Sequence, residues 1–278
     1  KGIILAGGKG TRLSPVTKGT NKQLLPIYDK PLFFYPLSNL MLADIRKILI
    51  IVNKGQIKNF YNSIGNGSHL GIKIFYKEQA SPNGIPESFK IGKKFIGKSN
   101  IALILGDNFF YGQGLIDQLK EAKKFKSGCT IYLKDVPKPE NYGVVKIKNN
   151  KINLITEKPK KFISNKVITG LYLFDNEVIK LSYKLKPSKR NETEIVDLIK
   201  YYQKKGGLNH IKLGRGAVWS DAGKIDDFIN ISNFVTSVEK VQGLKIACLD
   251  EIAYQKKWIT KDQLIKNINF YGNCPYSE

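Results

Sequence analysis

Histidine, cysteine and arginine are scarce in this chain, and each scarcity narrows its chemistry. Only two histidines occur in 278 residues, His69 and His210. Neither sits in a metal-binding or triad-like setting, so histidine-centred catalysis is not expected. The three cysteines, Cys129, Cys248 and Cys274, are odd in number, far apart and without CxxC spacing, which supports neither a disulfide framework nor a zinc site. Any metal is left to carboxylates. No apolar run reaches the roughly 18 residues of a membrane-spanning helix, and the first residues read as a strand, not as a basic segment leading a signal-peptide core. A cytoplasmic protein with no membrane partner is expected. Neither a disordered linker nor an internal repeat is evident, and one large domain accounts for the length.

Acidic residues are also few, 23 against 46 basic ones, giving a formal charge of +23. Such an excess can mark a nucleic-acid binder, and a non-enzymatic protein of that kind is one alternative. The distribution favours another reading: just four of the cations are arginines, Arg12, Arg46, Arg190 and Arg215, while the lysines are scattered. Scattered lysines make solvated faces that act mainly on solubility. No nucleic-acid partner is expected. The rare arginines, with a planar fork that lysine cannot reproduce, mark positions where bidentate geometry matters.

What the chain does have lies at its start. The apolar run Gly2 to Ala6 opens into Gly7-Gly8-Lys9-Gly10-Thr11-Arg12, a buried strand feeding a glycine loop tipped with a guanidinium. Glycines let backbone N–H groups converge on an oxyanion, and arginine adds a charge-assisted grip. The loop is not a Walker A motif, lacking Gly-Lys-Ser/Thr at the required spacing, and Leu13 stands where a dinucleotide fingerprint needs its third glycine. Ten residues beyond Arg12, Lys22-Gln23-Leu24-Leu25-Pro26 brings a second cation able to return to the same phosphates.

Together with LAGGKGTRL (5–13) and KQLLPIYDKP (22–31), the segments GDN (106–108), YGVV (142–145), EKP (157–159), TGLYLFD (169–175), WSDAG (219–223) and QGLKIACLDEIAYQKKWI (242–259) span nearly the whole chain in order. On these the chain resembles the sugar-1-phosphate nucleotidylyltransferases, most closely those transferring a thymidylyl group to glucose 1-phosphate. Transfer of a uridylyl group, or transfer to another sugar 1-phosphate, is the alternative within the family.

Apolar strands are suggested at Gly2 to Ala6, Ile48 to Val52, Ile72 to Tyr76 and Ile101 to Leu105, alternating with helices near Leu32 to Ala43, Gln56 to Ile64, Pro86 to Phe95 and Leu115 to Phe125. Repeated βα units predict an α/β fold with a mostly parallel, Rossmann-like sheet flanked by helices. Ligands in such sheets sit beyond the carboxyl ends of the strands, where Gly7 to Arg12, Gln79 to Gly84 and Gly106-Asp107-Asn108 converge. The second half is strand-rich, with strands at Cys129 to Lys134, Gly143 to Ile147, Ile152 to Thr156 and Thr169 to Phe174. A helix near Thr193 to Gln203 and a mainly helical tail from Asp226 follow. The resemblance implies a nucleotide-binding half (1–128), a sugar-binding half (129–225) and a helical assembly segment (226–278), in a homotetramer.

Asp107 and Asp221, each ending a strand, are the sort of pair that holds one Mg²⁺, and the resemblance makes them its ligands. It implies catalytic roles for Arg12, Lys22 and Lys158 as well. Gly7, Gly8, Gly10, Thr11, Gln23, Gln79 and Gly84 are implied to bind the nucleotide, Gln79 and Gly84 at the base. Asn108, Gly143, Glu157, Thr169 and Arg190 are implied to bind the sugar phosphate. The substrates would be dTTP and glucose 1-phosphate. The family's usual Pro-Asp-Gly-Leu-Ala-Gln-Ala is here Pro82-Asn83-Gly84-Ile85-Pro86-Glu87-Ser88. Proline and an acidic residue suit a helix start, but Glu87 would place a carboxylate near base and phosphates.

Overall fold

The strand Gly2–Ala6 pairs in parallel with Lys47–Asn53 on one side and Ile101–Leu105 on the other. With both faces covered, such strands read as continuous apolar runs and not as alternation, and Ile3, Ile4, Ala6 and Ile48 to Val52 are all buried. The computed structural model describes residues 1–8, 10–188 and 190–278; Lys9 of the glycine loop lies outside the described residues. Among these, nine strands form one sheet in which Lys73–Gln79 extends the parallel part beyond Lys47–Asn53. On the other flank Lys166–Phe174 runs antiparallel to Ile101–Leu105 and gathers Cys129–Asp135 and Gly143–Lys148. Lys151–Glu157 closes that side, and Leu208–Lys212 joins Cys129–Asp135 in parallel. The expected parallel half and strand-rich second half are thus parts of one mixed sheet.

Alternate strand residues feed two apolar layers. Ile4, Ile50, Val52 and Ile104 meet Phe33, Leu37 and Leu40 of the Phe34–Leu42 region together with Leu249 and Ala253 of the carboxyl-terminal helices. Ile3, Leu49, Ile51 and Leu103 meet Phe89, Val196, Ile199 and Tyr202 on the other face. The helix expected over 86–95 is two short helices, Glu87–Ile91 and Lys93–Ile96, parted at Gly92. A Cβ on Gly92 would stand 2.9 Å from the Ser88 carbonyl oxygen and 3.2 Å from Ile3 Cδ1. The helix expected over 115–125 ends at Lys120 and passes into a 3₁₀ turn, Glu121–Lys124. The tail forms three helices, Ile225–Gln242, Leu249–Gln255 and Lys261–Tyr271. No helix among the described residues is long and apolar enough to cross a membrane.

Two ribbons outside the main sheet have no counterpart in the sequence reading. Pro26–Ile27 pairs with Lys30–Pro31, and Phe109–Tyr111 pairs antiparallel with Val218–Ser220. The second matters most for chemistry: opposing Ser220 to Phe109 brings Asp221 alongside Asp107 and Asn108, although 114 positions separate the two aspartates in the chain.

Candidate active site

The parallel strands end on one rim, and the chain leaves each of them into a loop. After Ala6 the backbone enters Gly7 and Gly8, and Gly10 takes a left-handed conformation at φ 59° before the 3₁₀ turn Thr11–Leu13. A Cβ on Gly7 would lie 1.8 Å from Gln79 Nε2, so the amide at the end of Lys73–Gln79, two strands away in the sheet, can pack directly on the loop only because this residue is glycine. Gln23 Nε2 donates to the Gly7 carbonyl at 3.3 Å, while Gln23 Oε1 is buried without a partner among the described residues. Gly84 adopts φ 99°, and a Cβ there would meet the Thr193 carbonyl oxygen at 2.0 Å.

Beside the loop stands a cluster of opposite charges. Lys22 Nζ donates to Asp107 Oδ2 at 2.8 Å and to the Asp221 carbonyl at 3.1 Å, so one buried ammonium ties the two aspartate segments together. Asn108 supports the pair from beneath. Its Nδ2 donates to Asp107 Oδ1, and its Oδ1 accepts from the Gly170 backbone N–H and from Trp219 Nε1. Tyr142, stacked edge-on against Trp219, donates its hydroxyl to Asp221 Oδ1 at 3.3 Å. Arg12 closes the cluster over Gly223: a Cβ on that glycine would be 3.2 Å from Arg12 Nη1, from Arg12 Nη2 and from Asp221 Oδ2. Burial raises the Asp221 carboxyl above the usual aspartate range; the Asp107 charge adds to the rise, and Lys22 and Arg12 oppose it. Burial and Asp221 together push the Tyr142 phenol up to about 12.

A second polar group lies next to the first. Lys158, at φ 43°, donates its backbone N–H to the Tyr142 carbonyl, and its ammonium has no hydrogen bond or ion pair among the described residues. Arg190 is held bidentately by Glu194, with Nε on Oε1 at 3.2 Å and Nη2 on Oε2 at 2.7 Å, and it reaches Glu157 Oε1 at 3.3 Å. A Cβ on Gly143 would stand 3.3 Å from Glu157 Oε2. Burial and the Glu194 charge raise the Glu157 carboxyl, opposed by Arg190 and Lys158. Glycine loop, paired carboxylates and a set of cations that includes the Lys158 ammonium, unpaired among the described residues, form the kind of site that can hold two phosphate-bearing ligands side by side.

A sequence family described as nucleotidyl transferase matches residues 1–238. The chain belongs to the nucleotidyl transferase family. This nucleotidyl transferase is 46% identical to a glucose-1-phosphate thymidylyltransferase of Neisseria meningitidis over 265 residues, 95% of this chain and 92% of the relative. To one of Mycobacterium tuberculosis it is 43% identical over 279 residues, 98% and 96% of the two chains. A crystal structure from Bacillus anthracis, of a candidate glucose-1-phosphate thymidylyltransferase in complex with sucrose, superposes with TM-score 0.78 at 36% identity, covering 84% of this chain and 94% of that one. A UDP-glucose pyrophosphorylase complexed with UDP-glucose shares the fold at TM-score 0.74 and 23% identity, covering 85% and 98%.

The fold of this nucleotidyl transferase gathers the residues singled out in its sequence, but not all of them face open space. The Thr169 hydroxyl is spent on the Tyr132 carbonyl, and both amide atoms of Asn108 are engaged with protein. Glu87 forms an ion pair with Lys90 at 3.2 Å, so its charge is partly neutralised within its own helix. Asn53 and the Tyr142 hydroxyl escaped the sequence reading. A lone asparagine at a strand end looks like a turn residue, and a tyrosine before Gly143 carries no sign of an aspartate 79 positions away.

Proposed function

We propose that the chain transfers a thymidylyl group from dTTP to glucose 1-phosphate, giving dTDP-glucose and pyrophosphate. A phosphate oxygen of the sugar phosphate attacks the α-phosphorus in line. The new P–O bond forms as the bond to the β-phosphate bridging oxygen breaks, and pyrophosphate leaves with that oxygen. The nucleophile is already an anion, so no covalent intermediate or general base is needed; the work is to position two polyanions and offset their charge.

The observation that carries this reading is the cluster of Arg12, Lys22, Asp107 and Asp221 at the mouth of the glycine loop, with Lys158 and Arg190 beside it. The loop backbone and Arg12 would receive the triphosphate. Gln79 and Gly84 would face the base, and Gln23, with a buried acceptor unmet, would face the nucleoside. Lys158 and Arg190 would hold the sugar phosphate, Glu157 and Gly143 the sugar, with Asn108 and Thr169 forming the wall behind. Asp107 and Asp221 suit Mg²⁺: two carboxylates, one of them raised by burial and by its neighbour, gain from a hard dication. Mg²⁺ keeps several waters and takes phosphate oxygens from its substrate, so two protein carboxylates are enough to hold it. Bound there, the ion would supply charge neutralisation on the phosphates.

The division into residues 1–128, 129–225 and 226–278 is on this reading one of task, since a single sheet runs through the first two. Self-association to a homotetramer would use the last, where Val241 and Phe270 are 87% and 84% exposed. Mixing the purified chain with dTTP, glucose 1-phosphate and Mg²⁺ tests the reaction: pyrophosphate release, faster with dTTP than with UTP, is expected. No Mg²⁺-dependent release, or a preference for UTP, would overturn it.

A further inference from the structure

We propose that Asn53, outside the phosphate and sugar contacts assigned above, sets which base the nucleotide pocket accepts by fixing the direction of the Gln79 side-chain amide. The inference rests on the reading of Gln79 as a base contact. Asn53 ends the strand Lys47–Asn53, opposite Gln79 in the parallel register. Its own amide has one workable orientation. Oδ1 accepts the Gly8 N–H at 3.0 Å and Nδ2 donates to the Gly8 carbonyl at 2.8 Å. Turned over, it would set N–H against N–H and oxygen against oxygen, exchanging two hydrogen bonds for two repulsive contacts.

The same Oδ1 accepts from Gln79 Nε2 at 3.2 Å. An amide oxygen only accepts, so the Gln79 atom beside it must be the nitrogen, and Oε1 is turned the other way. Gln79 is 5% exposed and lies against Gly7, where a Cβ would come within 2.9 Å of Nε2, Cδ and Oε1 alike. Its Oε1 accepts no hydrogen bond among the described residues. The pocket is therefore offered an acceptor beside one spare Nε2 proton.

Thymine and uracil present a ring N–H next to a carbonyl, which meets that pair in register. Cytosine presents a ring nitrogen lone pair next to an amino group, the opposite polarity. Gln79 would have to flip to receive cytosine, and the Gly8-anchored Asn53 makes the flip costly. Sites built on such buried hydrogen bonds discriminate strongly, because the wrong partner leaves polar groups unpaired.

Steady-state kcat/KM with dTTP and with dCTP, each with glucose 1-phosphate and Mg²⁺, tests this; where dCTP is not turned over, its inhibition constant against dTTP replaces it. In Asn53→Ala the dTTP preference should fall at least about tenfold, and Asn53→Ser, the second variant should alanine not fold, should do the same. Asn53→Asp keeps an acceptor toward Gln79 but loses the donor to Gly8. It should retain the wild-type preference while activity drops with both nucleotides. An Asn53→Ala enzyme weakened equally toward both nucleotides, with an unchanged ratio, would make Asn53 a loop support only and overturn the inference. A wild-type chain that does not turn over dTTP would instead remove the reading beneath it.

Discussion

Arg12 lies over Gly223 and beside the Asp221 carboxylate at the end of the glycine loop. If it stabilises charge developing on the transferring phosphoryl group, Arg12→Ala should lower kcat by about 10²–10³-fold, the scale of losing one preorganised electrostatic partner. Pyrophosphate release would measure it, and near-normal turnover would contradict the role. Tyr142 makes a different, pH-dependent prediction. Asp221 must be ionised to hold a cation, yet burial and Asp107 raise its carboxyl, so the acid limb of kcat/KM should lie above the ordinary aspartate range. Tyr142→Phe removes a donor to the charged carboxylate and should move that limb to still higher pH. A pH profile with an unmoved limb would show that the phenol does not set the charge state of Asp221. The same shift acts on stability with the opposite sense to a salt-bridged aspartate. The unfolded chain releases this proton at lower pH than the folded one, so Asp221 costs stability as pH rises through its raised range.

The short helix Glu87–Ile91 shows how an element can absorb a sequence departure. Glu87 is paired with Lys90 one turn on, at 3.2 Å with both side chains about three-quarters covered, and Lys90 lies over the Tyr183 ring. A carboxylate neutralised inside its own helix repels phosphates little, so Glu87→Gln should leave the KM for dTTP within about twofold and cost at most about 1 kcal/mol of stability, the range for partly exposed pairs. A many-fold tighter nucleotide KM in the variant would mean that the charge does reach the site. Elements were legible in the sequence in proportion to how much hydrophobic pattern they carry. Gly2–Ala6, Ile48 to Val52 and Ile101–Leu105 are uninterrupted apolar runs because both sheet faces are covered. Phe109–Tyr111 and Val218–Ser220 are three residues each, too short for any period to register. Yet their pairing is what unites Asp107 with Asp221. The two aspartates stand in recognisable motifs, but the ribbon that joins them does not. Asn53 was invisible for a related reason: its role exists only through the Gly8 and Gln79 backbone and side-chain groups that the parallel register delivers to it.

At the scale of the molecule, the carboxyl-terminal helices are fastened to the amino-terminal half by buried charge. Lys30 is paired with its neighbour Asp29 and lies 3.6 Å from Glu239 of the helix Ile225–Gln242, with side chains 1% and 6% exposed. Its ammonium also lies over the rings of Tyr35 and Tyr276. Glu239 does a second job, accepting the Ile246 N–H at 2.7 Å. Truncating one partner of a buried pair leaves the others uncompensated, at a typical cost of about 3–5 kcal/mol. Glu239→Ala should therefore lower the unfolding free energy read from a urea titration by an amount of that order, moving the midpoint down. Glu239→Gln keeps an acceptor for Ile246 and removes only the charge, so its loss should be smaller, the difference between the variants reporting the hydrogen bond. Glu239 contacts Lys30 and Ile246 and makes no hydrogen bond or ion pair with Arg12, Lys22, Asp107 or Asp221, so the protein that remains folded should turn over at close to the wild-type rate. If instead the two substitutions leave the urea midpoint in place while turnover collapses, the tail would be a working part of the site and not its clasp.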